Sequence, residues 1–346
     1  MGGKRQWLMI PLFVAIAAVS IWAVSAQSRE FSLGDFMAYI REANVPWLVV
    51  AALSMLGFIL FEALALLTLS RAVGQKKTLW QGYIYAASDI YFSAITPSAT
   101  GGQPASAYFM IKDGINGMKS TAILVANLCM YTLSIVVISM ITLVFRFDLF
   151  LRYSTLSQIL IVIGFLMQVG LLFFFFMVLR QKSLLRRMCS AVLGFLCKLR
   201  ILKNRDAYQA RLDARMEKYR KYSNVITEHP KAMLKCFLFN FLQRISQIAV
   251  TMFVFAATAG KGIAETVELL FLQSYVIMGA NSLPIPGAMG VSDYMMLDGF
   301  RNIMTESQAV NLELLSRSLS FYCCVIICGV STLIQYLRVK KRGEQR

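Results

Sequence analysis

The chain has 346 residues, of which 58% are hydrophobic and 15% charged, and it carries a formal net charge of +17. With a mean hydropathy of +0.61 and several apolar runs near the roughly 20 residues that span a bilayer as helix, a soluble fold is excluded. The single histidine, His229, leaves almost no material for zinc sites or for Ser-His and Cys-His catalysis, and seven cysteines, set in apolar spans or the basic middle segment, imply no disulfide framework.

In chain order, Leu8 to Ala26 follows Lys4 and Arg5 and lacks a small-residue cleavage site, so it is expected as a retained transmembrane helix rather than a signal peptide. Full spans are then predicted near 47–69, 120–145, 156–179, 236–259 and 312–337, with two broken regions at 81–111 and 266–305. Trp47 and Trp80 near span ends read as interfacial anchors. From Arg180 to Lys235, fifteen Lys or Arg stand against Asp206, Asp213, Glu217 and Glu228, a balance of 15 − 4 = +11. The positive-inside rule makes this connector cytoplasmic, together with the loop Arg71 to Lys77, the tail after Leu337 and the N-terminus. Both termini are therefore expected on the cytoplasmic side of a bacterial-type cell membrane.

Orientation constrains the broken regions. Region 81–111 must start and finish inside, and region 266–305 must start and finish outside. As helices, 81–96 and 103–111 reach about 24 Å and 13 Å, less than the roughly 30 Å hydrocarbon core, which favours a re-entrant pair. Non-helical backbone at that depth is tolerated only where protein buries it or a wet cavity receives it. The first break, "TPSATGGQPASAYFM" (96–110), aligns with the second, "LPIPGAMGVSDYMM" (283–296), with one gap: Pro97 with Pro284, Gly101 with Gly287, Ser106 with Ser292, Tyr108 with Tyr294, Met110 with Met296. The expected fold is an all-α integral membrane protein of six full transmembrane helices plus two re-entrant helical hairpins in an inverted-topology repeat. Residues 1–179 form its first half with span 156–179 following the hairpin, 180–235 the connector, and 236–346 its second half.

These motifs resemble the lysylphosphatidylglycerol synthase transmembrane family, the flippase-like membrane region of multiple-peptide-resistance proteins. "TPSATGGQP" is similar to its Pro-x-x-x-Gly-Gly signature and "LPIPGAMGVSD" to its Pro-x-x-Gly-x-x-Gly-x-x-acid signature. Gln103 stands where an acid is frequent, Ser106 where Arg is frequent, Ala288 for a second glycine and Asp293 for the usual Glu. The resemblance implies lipid transport without lipid synthesis, in a stand-alone member lacking the soluble aminoacyl-transfer domain.

Half-helix N-termini at the breaks, with Pro104 suited to a first turn, would offer free amides and a positive dipole end to a phosphate. Thr96, Ser98, Thr100, Gly101, Gly102, Gln103, Ser106 and Tyr108 in the first break, and Asn281, Gly287, Gly290, Ser292 and Tyr294 in the second, are the candidate headgroup ligands. The alternative is that the hairpins only wedge the bundle. Arg317 either snorkels outward or turns in as a phosphate ligand or partner of Asp293. Arg244 shares a polar stripe with Asn240, Gln243 and Gln247 at spacings of three and four, either a packing seam or a substrate path. Asp89, Asp293 and Glu62 are intramembrane carboxylates and candidate coupling groups, though Asp293 also fits a plain helix-start role beside Ser292.

In the connector, residues 183–200 read as an amphipathic helix on the inner leaflet, and 205–222 as a solvated charged helix. Nucleic-acid binding is not expected, because topology already explains the basic stretch. No Walker-type Gly-Lys-Ser/Thr loop is present. The sequence thus points to a non-enzymatic, flippase-like carrier of lipids with phosphate-bearing, mostly anionic headgroups, without catalytic residues, metal or cofactor and with self-association left open. Secondary transport of a small soluble anion is the alternative.

Overall fold

The computed structural model describes residues 33–96, 99–180, 205–258, 263–281, 290–301 and 303–344, together with 186, 187, 190, 191 and 194. The expected first span at 8–26 and most of the connector's amphipathic segment lie outside the described residues. What is described is an all-α membrane protein, and five helices are long and apolar enough to cross a bilayer.

A short helix α1 (Leu33–Glu42) precedes α2 (Val45–Ala72), a long span with proline in its first turn, where the missing amide costs nothing. Next come α3 (Leu79–Ile95), opened by a Thr78/Gln81 capping box, and the short α4 (Gly102–Lys112). Asn116 caps α5 (Gly117–Phe145), which leads through α6 (Phe147–Arg152) to α7 (Thr155–Arg180). In the second half, α8 (Arg205–Thr227) and α9 (Pro230–Thr258) are followed by α10 (Ile263–Ala280), α11 (Val291–Phe300) and α12 (Glu306–Arg317). A π-helical turn, Ser318–Cys323, joins α12 to α13 (Cys324–Glu344).

Both helix pairs that flank a break begin and end at one end of the bundle. For α3 and α4, Lys77 Nζ donates to the Asp113 carbonyl (2.6 Å), Lys119 Nζ to the Val73 carbonyl (3.4 Å) and the Tyr85 hydroxyl to Asp113 Oδ2 (2.7 Å). For α10 and α11 the contacts fall at the other end, where α5 finishes. Arg146 and Arg152 pair with Glu268, and Asp298 accepts from the Ser154 amide and from the hydroxyls of Ser154 and Ser157. Asp298 thereby serves the first turn of α7, whose amides have no helical partner. The close approach of α7 to α10 depends on Gly164, where a Cβ would lie 2.1 Å from the Met278 carbonyl oxygen.

Polarity runs inside out relative to a soluble helix. On α9, Leu234, Leu238 and Leu242 repeat every four residues and are 59%, 48% and 42% exposed, while Asn240, Gln243 and Arg244 are buried. Apolar stripes on α2, α5, α7 and α13 are likewise exposed, among them Leu53, Val144, Leu166 and Val330. A bilayer is the solvent that accepts such a surface.

One reading of the connector changes. The segment expected to be a solvated helix does form α8, but its last turns pack inward. Tyr219 and Ser223 are buried, and their hydroxyls donate to the carbonyls of Val178 and Leu179 at the end of α7. These two bonds tie α8 to the last described turn of α7. Cysteines introduced at Lys112 and Arg301, both exposed, are expected to label from opposite faces of the membrane. Labelling from one face would overturn the opposed arrangement of the two helix pairs.

Candidate functional site

The described residues on the two sides of the first break are hydrogen-bonded to one another. Thr96 Oγ1 donates to the Phe92 carbonyl (2.6 Å) and accepts from the Gly101 amide (2.9 Å), so that amide is already engaged. Pro104 falls in the first turn of α4, as expected. A Cβ on Gly102 would stand 1.9 Å from Asp89 Oδ1 and 2.0 Å from Ser93 Oγ. Glycine here lets α4 begin directly on the acid of α3. Gln103 Nε2 then donates to Asp89 Oδ2 (2.6 Å), and Ser93 Oγ to Asp89 Oδ1 (3.1 Å).

Asp89 lies beside Glu62 of α2. Gln243 of α9 donates to Glu62 Oε2 (2.8 Å). Arg244, one residue on, stacks its guanidinium over Tyr131 (4.2 Å to the ring centroid) and donates to Gln247. Asn240 donates to Asn127 Oδ1 (3.0 Å). The polar stripe of α9 thus faces protein and divides its members between α2 and α5. Beside Arg244, a cavity of about 10 Å³, about the size of one water, is lined by Ser139, Ser274 and four isoleucines. Buried polar atoms without a hydrogen-bond partner among the described residues include Gln103 Oε1 and Ser106 Oγ on α4 and Asn240 Oδ1, Gln243 Oε1 and Arg244 Nε on α9. Such atoms are costly in a low-dielectric interior and mark where polar groups change partners.

The second break carries its own cluster. Gly290, at φ +79°, turns the chain into α11, and its amide donates to Asp293 Oδ2 (2.8 Å). Asp293 also pairs with Arg317 of α12, whose Nη2 contacts both Asp293 Oδ1 and Ser292 Oγ. Arg317 Nε donates to Glu313 Oε1 (3.1 Å). Of the two readings for Arg317, the structure takes the inward one: the residue is buried, and Asp293 serves both the helix start and the ion pair. The carboxyls of Asp293 and Glu313 adjoin, and Glu313 Oε2 has no donor among the described residues. Sequence reasoning missed Glu313, which is fully buried. Its signal was the i,i+4 spacing to Arg317 in an apolar run.

The two clusters share a pattern of two carboxyls and one arginine: Glu62, Asp89 and Arg244, then Asp293, Glu313 and Arg317. The π-helical turn begins directly after Arg317 and ends at Cys323. Irregular turns of this kind are frequent at functional sites. Other candidates stand apart. Tyr108 is exposed and packs against Tyr336, Asn281 is exposed at the end of α10, Thr100 is exposed in the turn, and Tyr294 meets Ser154 (3.0 Å). Ser98 and Gly287 lie outside the described residues.

A family profile described as Lysylphosphatidylglycerol synthase TM region matches residues 10–328, taking in both breaks and both clusters. The chain belongs to this family. No curated protein matches it. Membership of the Lysylphosphatidylglycerol synthase TM region family, with five bilayer-length helices, makes this a multi-pass membrane protein of a lipid-related family.

Proposed function

We propose that the protein is a flippase-like lipid transporter that moves the phosphate-bearing headgroup of a phospholipid or polyisoprenyl-phosphate-linked lipid between leaflets, while the tails stay in the bilayer. In this reading the helix pairs α3–α4 and α10–α11 are re-entrant hairpins of an inverted repeat, and the basic end of the bundle is cytoplasmic. The observation that carries it is the buried Arg317–Asp293–Glu313 cluster at the second break, matched at the first by the buried carboxyls of Glu62 and Asp89, which hold Gln243 and Gln103. Phosphate oxygens present arginine with the same two-pronged acceptor face as a carboxylate. A headgroup therefore exchanges with Asp293 and Glu313 at Arg317. At the first break Arg244 has no carboxylate partner among the described residues, so its guanidinium would meet a headgroup without displacing one. No covalent bond changes, so the chain is a carrier and not an enzyme.

The test is leaflet exchange of a fluorescent phospholipid in liposomes containing the purified protein, followed by quenching of the outer leaflet. Exchange is expected to exceed that of protein-free liposomes, and Asp293→Asn to slow it about tenfold, the effect of about 1.4 kcal/mol. Uptake of soluble phosphate with no leaflet exchange would replace this reading with transport of a small anion.

A further inference from the structure

A second polar feature lies away from the buried clusters, at the basic end of the bundle. Where the C-terminal end of α2 meets the N-terminal end of α9, an open cleft of about 430 Å³ is lined by Thr68, Arg71, Glu228, His229, Lys231 and Lys235 among others. Arg71 sits in the last turn of α2, where a cation complements the helix dipole. Lys231 and Lys235 do the opposite. They occupy the start of α9, whose first turn holds no acid. Cations are unfavourable at this dipole end, which attracts anions instead. None of the three cations has a carboxylate within ion-pair distance among the described residues. His229 Nδ1 donates to the Val225 carbonyl (2.6 Å), which ties this wall of the cleft to the last turns of α8. Three cations against the single carboxylate of Glu228 leave two positive charges on a concave surface.

We infer that this cleft binds a phosphomonoester, the dianionic headgroup class whose charge equals that surplus. Phosphodiester headgroups carry one charge and match it less well. The cleft opens on the α2–α9 seam, and Arg71 stands nine residues from Glu62, about 14 Å along the helix. A headgroup held there lies on the line that leads to the first buried cluster. The site stands on its own geometry and holds whether or not the chain moves lipid.

Native mass spectrometry of the full-length protein in detergent tests it, with phosphatidic acid, phosphatidylglycerol and inorganic phosphate as probes. Phosphatidic acid is expected to bind more tightly than phosphatidylglycerol. Combining Arg71→Gln, Lys231→Gln and Lys235→Gln is expected to weaken phosphatidic acid binding on the order of a hundredfold, at about fivefold per cation. Neutralising three exposed cations of α8 instead, Lys218→Gln, Arg220→Gln and Lys221→Gln, leaves it unchanged. Should the cleft triple variant melt early, Lys231→Gln alone carries the test with its fivefold loss. Displacement of phosphatidic acid by equimolar inorganic phosphate would confirm the phosphomonoester site and assign it to the free ion. Equal affinity for the two lipids, or equal losses in the cleft and α8 variants, overturns the inference.

Discussion

Arg317→Met is expected to lower the stability of the protein by about 3–5 kcal/mol, the usual cost of removing one partner from a buried ion pair. Asp293 and Glu313 are 1% and 0% exposed, and Arg317 itself is 7% exposed. Methionine fills comparable apolar volume but leaves two adjoining carboxyls without their cation. Neutralising them too, with Asp293→Asn and Glu313→Gln, is expected to return most of the loss, because a buried ion pair replaced as a unit is often neutral or stabilising. Melting in detergent reads both variants. Leaflet exchange then separates architecture from transport: the triple variant is expected to fold and to move no lipid. If it folds and exchanges lipid at the wild-type rate, Arg317 has no part in the proposed path. Arg317→Lys keeps the charge and loses the planar fork that spans Asp293, Ser292 and Glu313, so it is expected to fall between the two.

Gly102→Ala is expected to be nearly as damaging, although it adds a single methyl group. The new carbon would lie 1.9 Å from Asp89 Oδ1, 2.0 Å from Ser93 Oγ and 2.6 Å from the Asp89 carbonyl oxygen. The two side-chain atoms can rotate, but the carbonyl belongs to α3 and cannot. The first turn of α4 must therefore lift, and Gln103 with it, which loosens a buried carboxylate's hydrogen bond. Overpacking of this kind costs about 1–3 kcal/mol, and the weakened bond to Asp89 about 1.5–3 kcal/mol more. Gly170→Ala on α7 is the control with the opposite sign. A Cβ there meets nothing within 4 Å, so alanine is expected to stabilise the helix by up to about 1 kcal/mol. Melting temperatures of the two variants, moving in opposite directions, check the argument.

Much of this architecture was legible before any coordinates. Spans expected at 47–69, 120–145, 156–179 and 236–259 became helices over 45–72, 117–145, 155–180 and 230–258, since length and apolarity are local properties of the chain. The span expected at 312–337 begins earlier, at Glu306, where Thr305 and Gln308 form a capping box ahead of the hydrophobic run. The short helices either side of the first break followed from charge bookkeeping and from Gly and Pro, which act on their own backbone. The partners of buried polar groups were not legible. Gln243 and Glu62 are 181 residues apart, and no periodicity carries such a pairing. Glu313 was overlooked because it sits one residue inside the expected span, where acids ordinarily face water. The solvated reading of 205–222 follows from the charged neighbours of Tyr219, whereas its bond to the Val178 carbonyl joins residues 41 apart.

Each buried cluster contains one more acid than base: Glu62 and Asp89 with Arg244, Asp293 and Glu313 with Arg317. That imbalance has an electrical consequence for any anion that passes them. A singly charged lipid crossing alone would carry its charge through the membrane field, at about 2.3 kcal/mol per 100 mV. If it crosses together with one compensating positive charge, the cargo is electrically silent, and the resting potential neither drives nor opposes it.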